Sequence, residues 1–160
     1  MPYYIKRKKK TSQSERNEPK TKRKGNKPSL IKKLDKVFAI YIRLRDAMPS
    51  GYTRCISCGK IKAFEDTDCG HFHSRTHMAT RFDEDNCHAE CRFCNRFSAD
   101  HLIGYEKNLV RKIGQNRVDL LNVKAHSSKH YLDCELEQMI DHYKRKAKEL
   151  SSLKGIRVNL

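Results

Sequence analysis

Cys55-Ile-Ser-Cys58-Gly59, then Asp68-Cys69-Gly70-His71, then Asn86-Cys87-His88-Ala89-Glu90-Cys91-Arg92-Phe93-Cys94-Asn95: the fold turns on reading these three stretches together. Two Cys-x-x-Cys pairs, 55/58 and 91/94, bracket 32 residues. Four thiolates at that spacing suit a closed tetrahedral structural zinc site, with Gly59 supplying a knuckle turn after the second thiolate. A simple zinc ribbon has only about 15–20 residues between its pairs. This spacer is longer and carries His, Asp and Asn, side chains that handle protons and hard cations. A closed four-thiolate site offers substrate no open position, so the zinc is a scaffold that converts binding free energy into folding free energy. Cys69, Cys87 and Cys134 are left over and read as small buried hydrophobes. Entry of Cys69 or Cys87 into the zinc shell is the lesser alternative.

His71 follows Gly70 in a stretch expected to be extended over 68–73. A neutral imidazole near pH 7 suits a base that deprotonates water. Asn95 stands one residue beyond Cys94, on an element that zinc would hold rigid, and its amide oxygen can ligate a hard Mg2+-type ion. Asn86 can hold the backbone across the loop and orient His71. Singly, each reads as an ordinary polar residue. Their order inside a zinc frame points to phosphodiester hydrolysis.

Outward from this core, Ser29 is a candidate N-cap for a helix over 30–47, with Leu30, Leu34, Val37, Phe38, Tyr41 and Leu44 on one apolar stripe. The segment 52–64 reads as a hairpin turning at Gly59. A mobile polar loop is expected after 73, then a helix entered from about Asn86 that carries Cys91, Cys94 and Asn95. Further helices are expected over 102–113, stopped by Gly114, and over 115–124. A last helix is capped by Asp133, with Leu136, Met139, Ile140, Tyr143, Ala147 and Leu150 facing inward.

Thirty-five Lys+Arg oppose 19 Asp+Glu, a formal net charge of +16, with a pI near 9.7. That balance points to a polyanionic partner, DNA above all. The longest apolar run, 37–42, cannot span a bilayer, and no apolar segment follows the basic start, so no membrane or export role is expected. Seven cysteines without an export signal favour metal over disulfides. The expected place is the cytoplasm of a bacterial cell or phage-infected host. Residues 1–28 hold eleven Lys/Arg against two Glu, a net +9, and almost nothing apolar. They read as a disordered basic arm in which Lys8, Lys9, Lys10, Lys22, Arg23 and Lys24 grasp phosphates. Residues 29–160 read as a single domain with its core over about 52–101 and flanking helices over about 30–47 and 102–151.

The string Gly70-His71, Asn86, Cys91-x-x-Cys94-Asn95 resembles the HNH endonucleases, in the variant whose final His is Asn. Arg81-Phe82-x-Glu84-x-Asn86-x-His88, Arg111-x-Ile113-Gly114-Gln115 and Val118-Asp119 bring it closest to the phage NinG/Rap recombination proteins, over residues 30–150 or so. The resemblance implies an α+β, mostly helical fold: a zinc-stapled ββα-metal core with flanking N- and C-terminal helices. It implies metal-dependent endonuclease activity on branched DNA, such as Holliday junctions and D-loops, leaving 5′-phosphate and 3′-hydroxyl ends. His71 would be the general base, Asn95 a ligand of catalytic Mg2+ or Mn2+, and Asn86 the orienting residue. Many HNH enzymes carry a metal-binding Asp or His where this chain has Gly70. Asp68, two residues earlier on an extended segment, is the candidate second ligand, with His73 as rival. His88 is an accessory candidate for phosphate or metal, against a packed role near the zinc. Arg75, Arg81, Arg92 and Arg96 are candidate phosphate clamps. A twofold junction favours a homodimer, for which the stripes on the first and last helices offer an interface unless they close the monomer core. The rival class is a non-catalytic zinc protein that binds nucleic acid. A third reading keeps the nuclease but gives it linear duplex DNA or RNA.

Overall fold

The computed structural model describes residues 27–160, so the arm positions Lys8, Lys9, Lys10, Lys22, Arg23 and Lys24 lie outside the described residues. Helix α1 (Lys27–Asp46) is followed by strands β1 (Tyr52–Arg54) and β2 (Ile61–Ala63). After one 3-10 turn (Phe64–Asp66) come β3 (Thr67–His71), β4 (Cys87–Cys91) and α2 (Arg92–Phe97). Helices α3 (His101–Ile113), α4 (Gln115–Ala125) and α5 (Asp133–Lys154) complete the chain. The fold is mixed α+β and mostly helical.

Helix α1 is already helical at Lys27, the first described residue, so Ser29 lies within the helix rather than before it, and the expected arm boundary at 28 falls within the helix. Pro28 fits there, because first-turn N–H groups have no helical acceptor to lose. The stripe of α1 is buried against Leu136, Ile140, Tyr143 and Ala147 of α5. Phe38 meets Tyr143 edge-on at 4.8 Å between ring centroids, and Phe82 at 5.7 Å. The stripes weighed as a dimer interface are therefore interior surfaces of one chain. Asp133 is the first helical residue of α5, and the carboxylate of Glu135 accepts the Leu132 N–H at 2.6 Å.

Strands β1 and β2 pair antiparallel, from Tyr52 opposite Ala63 to Arg54 opposite Ile61, and the knuckle between them turns at Gly59 (φ 71°). Strands β3 and β4 also pair antiparallel, from Thr67 opposite Cys91 to His71 opposite Cys87. This corrects the helix expected from Asn86: 87–91 is a strand buried at every position, and the helix begins only at Arg92. Cys87, Ala89 and Cys91 alternate with the polar His88 and Glu90, a period-two strand pattern that the Cys91-x-x-Cys94 pair, expected on one helix, masks.

The loop expected to be mobile is tied down. Successive turns bond Thr80 N–H to His77 O at 3.1 Å, Asp83 to Thr80 at 3.1 Å and Asn86 to Asp83 at 3.1 Å. Ala79, Thr80 and Phe82 are buried within it. A second apolar cluster joins Ile56 of the knuckle to Tyr105, Leu109, Val118 and Leu121 of α3 and α4. The Tyr105 hydroxyl, fully buried, is shared between the carbonyls of Gly70 (3.1 Å) and Asn86 (3.2 Å), fixing where β3 ends and β4 begins.

Candidate functional site

Cys55 and Cys58 come from the knuckle, Cys91 from the last position of β4 and Cys94 from the first turn of α2. Their four sulfurs lie within 4.8 Å of one another. Cys58 and Cys91 stand 3.9 Å apart, and the Cys91 N–H points at the Cys55 sulfur at 3.3 Å. Zinc–sulfur bonds of about 2.3 Å in a tetrahedron set neighbouring sulfurs about 3.8 Å apart, so the donor set fits a structural metal such as zinc. Burial pushes the Cys55 thiol up to about 11 and the Cys94 thiol higher still. A divalent cation bound to the thiolates would reverse that penalty.

Beside this cluster opens a cleft of about 400 Å3. Asp68 and His71 of β3, Asn95 and Arg96 of α2, and Asp35 of α1 line it, with Arg75 from the loop. Larger cavities of about 540 and 720 Å3 are lined by none of His71, Asp68 and Asn95.

The His71 ring approaches the Arg81 carbonyl through Nε2 at 3.2 Å. A carbonyl only accepts, so this contact is a hydrogen bond in the tautomer that carries its proton on Nε2, which leaves the lone pair on Nδ1. Burial, reinforced by the Arg75 cation, depresses the pKa of this ring to about 4. The imidazole is therefore neutral at pH 7 and able to take a proton.

Asn86 is fully buried and uses both ends of its amide. Its Oδ1 accepts the His73 N–H at 2.7 Å, and its Nδ2 donates to the carbonyls of His73 (2.9 Å) and Thr80 (3.0 Å). It thus clasps the two ends of the loop and fixes the segment that carries the Arg81 carbonyl.

Asp68 accepts two bonds from the Arg96 guanidinium, at 2.7 and 3.0 Å, and one from Asn95 Nδ2 at 3.2 Å. Burial would raise its pKa, but the Arg96 and Asn95 hydrogen bonds outweigh it and hold the carboxyl below its ordinary value. Asn95 donates through nitrogen here, which leaves its amide oxygen able to accept or to bind a cation. An Asp carboxylate beside an amide oxygen is a donor set for a hard cation.

The other candidates fall in different places. His73 bonds Asn122 Oδ1 through Nε2 at 2.9 Å and does not line the cleft. His88 is buried behind the hairpin, where its Nδ1 meets Arg45 at 2.7 Å, Lys112 at 3.0 Å and Asp46 at 3.3 Å. That is the packed alternative, not a contact with the cleft. Arg81 is committed to Asp35 at 2.6 Å, and exposed Arg92 pairs with Asp66 at 3.7 Å. Arg75 lines the cleft and is exposed. Of the spare cysteines, Cys69 and Cys87 are buried as expected, but Cys134 is exposed.

Three supports went unread in the sequence. Asp35 anchors Arg81, and its signal is an acid among Lys32, Lys33 and Lys36. The Arg45–Asp46 pair ties α1 to β4: Arg45 donates to the Cys87 carbonyl at 2.8 Å, and Asp46 accepts the Ala89 N–H at 2.8 Å. Glu90, fully buried, accepts from Ser57 of the knuckle and meets His101 Nδ1 of α3 at 2.8 Å. It joins knuckle, hairpin and α3 at one carboxylate. A Cβ at Gly70 would stand 2.8 Å from the Glu90 Cβ and closer still to its Oε2, so no side-chain ligand can occupy position 70 while Glu90 sits there.

The family model described as Bacteriophage Lambda NinG protein matches residues 4–152. Curated relatives named Protein ninG include that of Escherichia phage 933W, 34% identical over 125 residues, covering 75% of this chain and 57% of the relative. The protein of Escherichia phage lambda is 33% identical over 125 residues (75% and 56%). That of Salmonella phage P22 is 32% identical over 124 residues (75% and 57%). The chain thus spans under three fifths of the length of these relatives. No solved structure matches it.

Proposed function

The chain belongs to the NinG family, and from that premise we propose that it is a metal-dependent DNA endonuclease of the HNH type, selective for branched recombination intermediates. One observation carries the reading: a neutral imidazole, a carboxylate and a side-chain amide meet in one cleft, on a strand–strand–helix unit framed by four cysteines.

His71 acts as the general base. Its Nε2–H is held by the Arg81 carbonyl, which directs the Nδ1 lone pair to the proton of an attacking water. Asn86 positions that carbonyl and so the ring. Asp68 and Asn95 would hold a Mg2+ or Mn2+ ion, whose chemistry is to neutralise charge developing on the phosphate and the leaving oxygen. Arg75 and Arg96 take phosphate oxygens, Arg96 by exchanging Asp68 for the DNA backbone. The +16 charge supplies non-specific grip. The four-cysteine cluster keeps α2 in register with the hairpin, so Asn95 and Asp68 stay adjacent.

Synthetic Holliday-junction, flap and linear duplex substrates, incubated with Mg2+ and either wild type or His71→Ala, test the reading. Mg2+-dependent nicking of the branched substrates, lost in the variant with binding retained, is expected. Full-rate cutting by His71→Ala, or binding without any cutting by wild type, would overturn it; equal cutting of the linear duplex would move the substrate class.

A further inference from the structure

Cys69 and His71 of β3 and Cys87 of β4 form a second group of metal-binding side chains, their ligand atoms all within 4.8 Å of one another. The strand register explains the grouping. His71 lies opposite Cys87 and Cys69 opposite Ala89, and residues two apart share a face, so the three side chains converge on one side of the hairpin. The four-cysteine cluster does not use them, and the proposed chemistry uses only His71.

We propose that Cys69, His71 and Cys87 are a thiophilic metal site, for Zn2+, Cd2+ or Co2+, whose occupation switches off the base. The switching rests on His71 being that base; the site itself does not. In a tetrahedral zinc site neighbouring donors stand about 3.5–3.8 Å apart, so these three need move only about 1 Å to close on an ion. Two thiolates and an imidazole select zinc-like metals over Mg2+, the reverse of the oxygen donors Asp68 and Asn95. Cys69 and His71 line the cleft, which gives an ion a route from solvent and leaves a coordination position for water. Binding releases two thiol protons to solvent and leaves the imidazole neutral. A neutral imidazole has one lone pair. If the metal takes Nδ1, that pair is occupied; if it takes Nε2, the ring proton moves to Nδ1. Either way no lone pair remains for the attacking water, so metal binding and proton acceptance at His71 exclude each other.

Cobalt titration of the full chain, read by thiolate-to-cobalt absorption, tests the site without reference to cleavage. Wild type should take two Co2+ per chain, the second with weaker charge transfer from two sulfurs rather than four. Cys69→Ala/Cys87→Ala should take one. Because that variant removes two buried groups, 113Cd NMR of the wild type provides an independent reading: two resonances are expected, the second shifted as nitrogen replaces sulfur. One cobalt and one resonance in wild type would overturn the site. For the switch, excess Zn2+ should inhibit Mg2+-dependent nicking by wild type, and the double variant should need about tenfold more zinc or greater. Equal zinc sensitivity would overturn the switch. A wild type that binds two metals but never nicks DNA would keep the site and remove both the switch and the nuclease reading.

Discussion

Acidification should destabilise this protein through His71 in a window that can be worked out in advance. The ring has a folded pKa of about 4, set by burial and then by Arg75, against about 6.5 in an unfolded chain. Between those values the unfolded chain binds the extra proton, so the folded state loses ground as pH falls from 7 toward 4. At pH 7.5 the contribution is close to zero. At pH 5 the unfolded ring is almost wholly protonated while the folded ring is mostly neutral, and linkage gives about 2 kcal/mol in favour of unfolding. His71→Gln removes the titration while keeping a side chain that can donate to the Arg81 carbonyl. Urea unfolding of both proteins at pH 5 and 7.5, each with one equivalent of zinc, isolates the effect, because His73 and His88 are present in both. Wild type should lose about 2 kcal/mol more than the variant on acidification. Equal losses would mean that the ring titrates like a solvated imidazole, and the argument for a buried neutral base would fail.

Other outcomes follow from single contacts. Gly70→Ala drives a methyl group into Glu90 and should cost about 1–3 kcal/mol by overpacking, read as a lower urea midpoint with unchanged slope. Asn86→Ala strips three hydrogen bonds from His73 and Thr80 and should cost about 3 kcal/mol, with faster amide exchange across 73–86; a loss under about 0.5 kcal/mol would deny the clasp. If the four cysteines hold a metal, chelating it should expose the amides of 52–63 and 91–97 to exchange while α1 and α5, which bury their own apolar cluster, stay protected; uniform protection after chelation would show that the cysteines do not hold the hairpin to α2.

Local chemistry with a sharp signature was legible in the sequence. The cysteine spacing placed the cluster, helical periodicity placed α1, α3, α4 and α5 within a few residues, and the Gly-His and Cys-Asn pairs named His71 and Asn95, which share the cleft. What escaped was set by tertiary contact. The strand at 87–91 is the exception: Cys87, Ala89 and Cys91 alternate with His88 and Glu90, a period-two signal masked by the expectation that Cys91 and Cys94 share one helix. His88 and Arg81 looked available because each is polar and close in sequence to the cleft residues. Only the fold shows that Asp46 and Asp35, 42 and 46 residues away, engage them. The Cys69–His71–Cys87 group was hidden likewise, since strand register and not spacing brings residue 87 to residue 71.

The charges in the cleft bear on how a hard cation would enter it. Asp35 and Asp68 each face an arginine, at 2.6 Å from Arg81 and 2.7 Å from Arg96, and Arg75 adds a third cation. These five side chains sum to a net +1, an unwelcoming field for an ion that also sheds water reluctantly. A DNA phosphate reverses the balance: it brings negative charge to the ion and a competing acceptor for Arg96, which then releases Asp68. On the proposed reading, metal and DNA therefore bind together and the catalytic group forms only on substrate. Mn2+ titration followed by electron paramagnetic resonance checks this. The free chain should bind weakly beyond its cysteine site, and a non-cleavable phosphorothioate junction should tighten binding. Arg96→Ala should tighten Mn2+ binding to the free chain by about tenfold, the scale of one charge-assisted hydrogen bond of about 1.5 kcal/mol. Tight Mn2+ binding to the free wild type, or no change in Arg96→Ala, would show that the arginine does not guard Asp68 and that the cleft is assembled before DNA arrives.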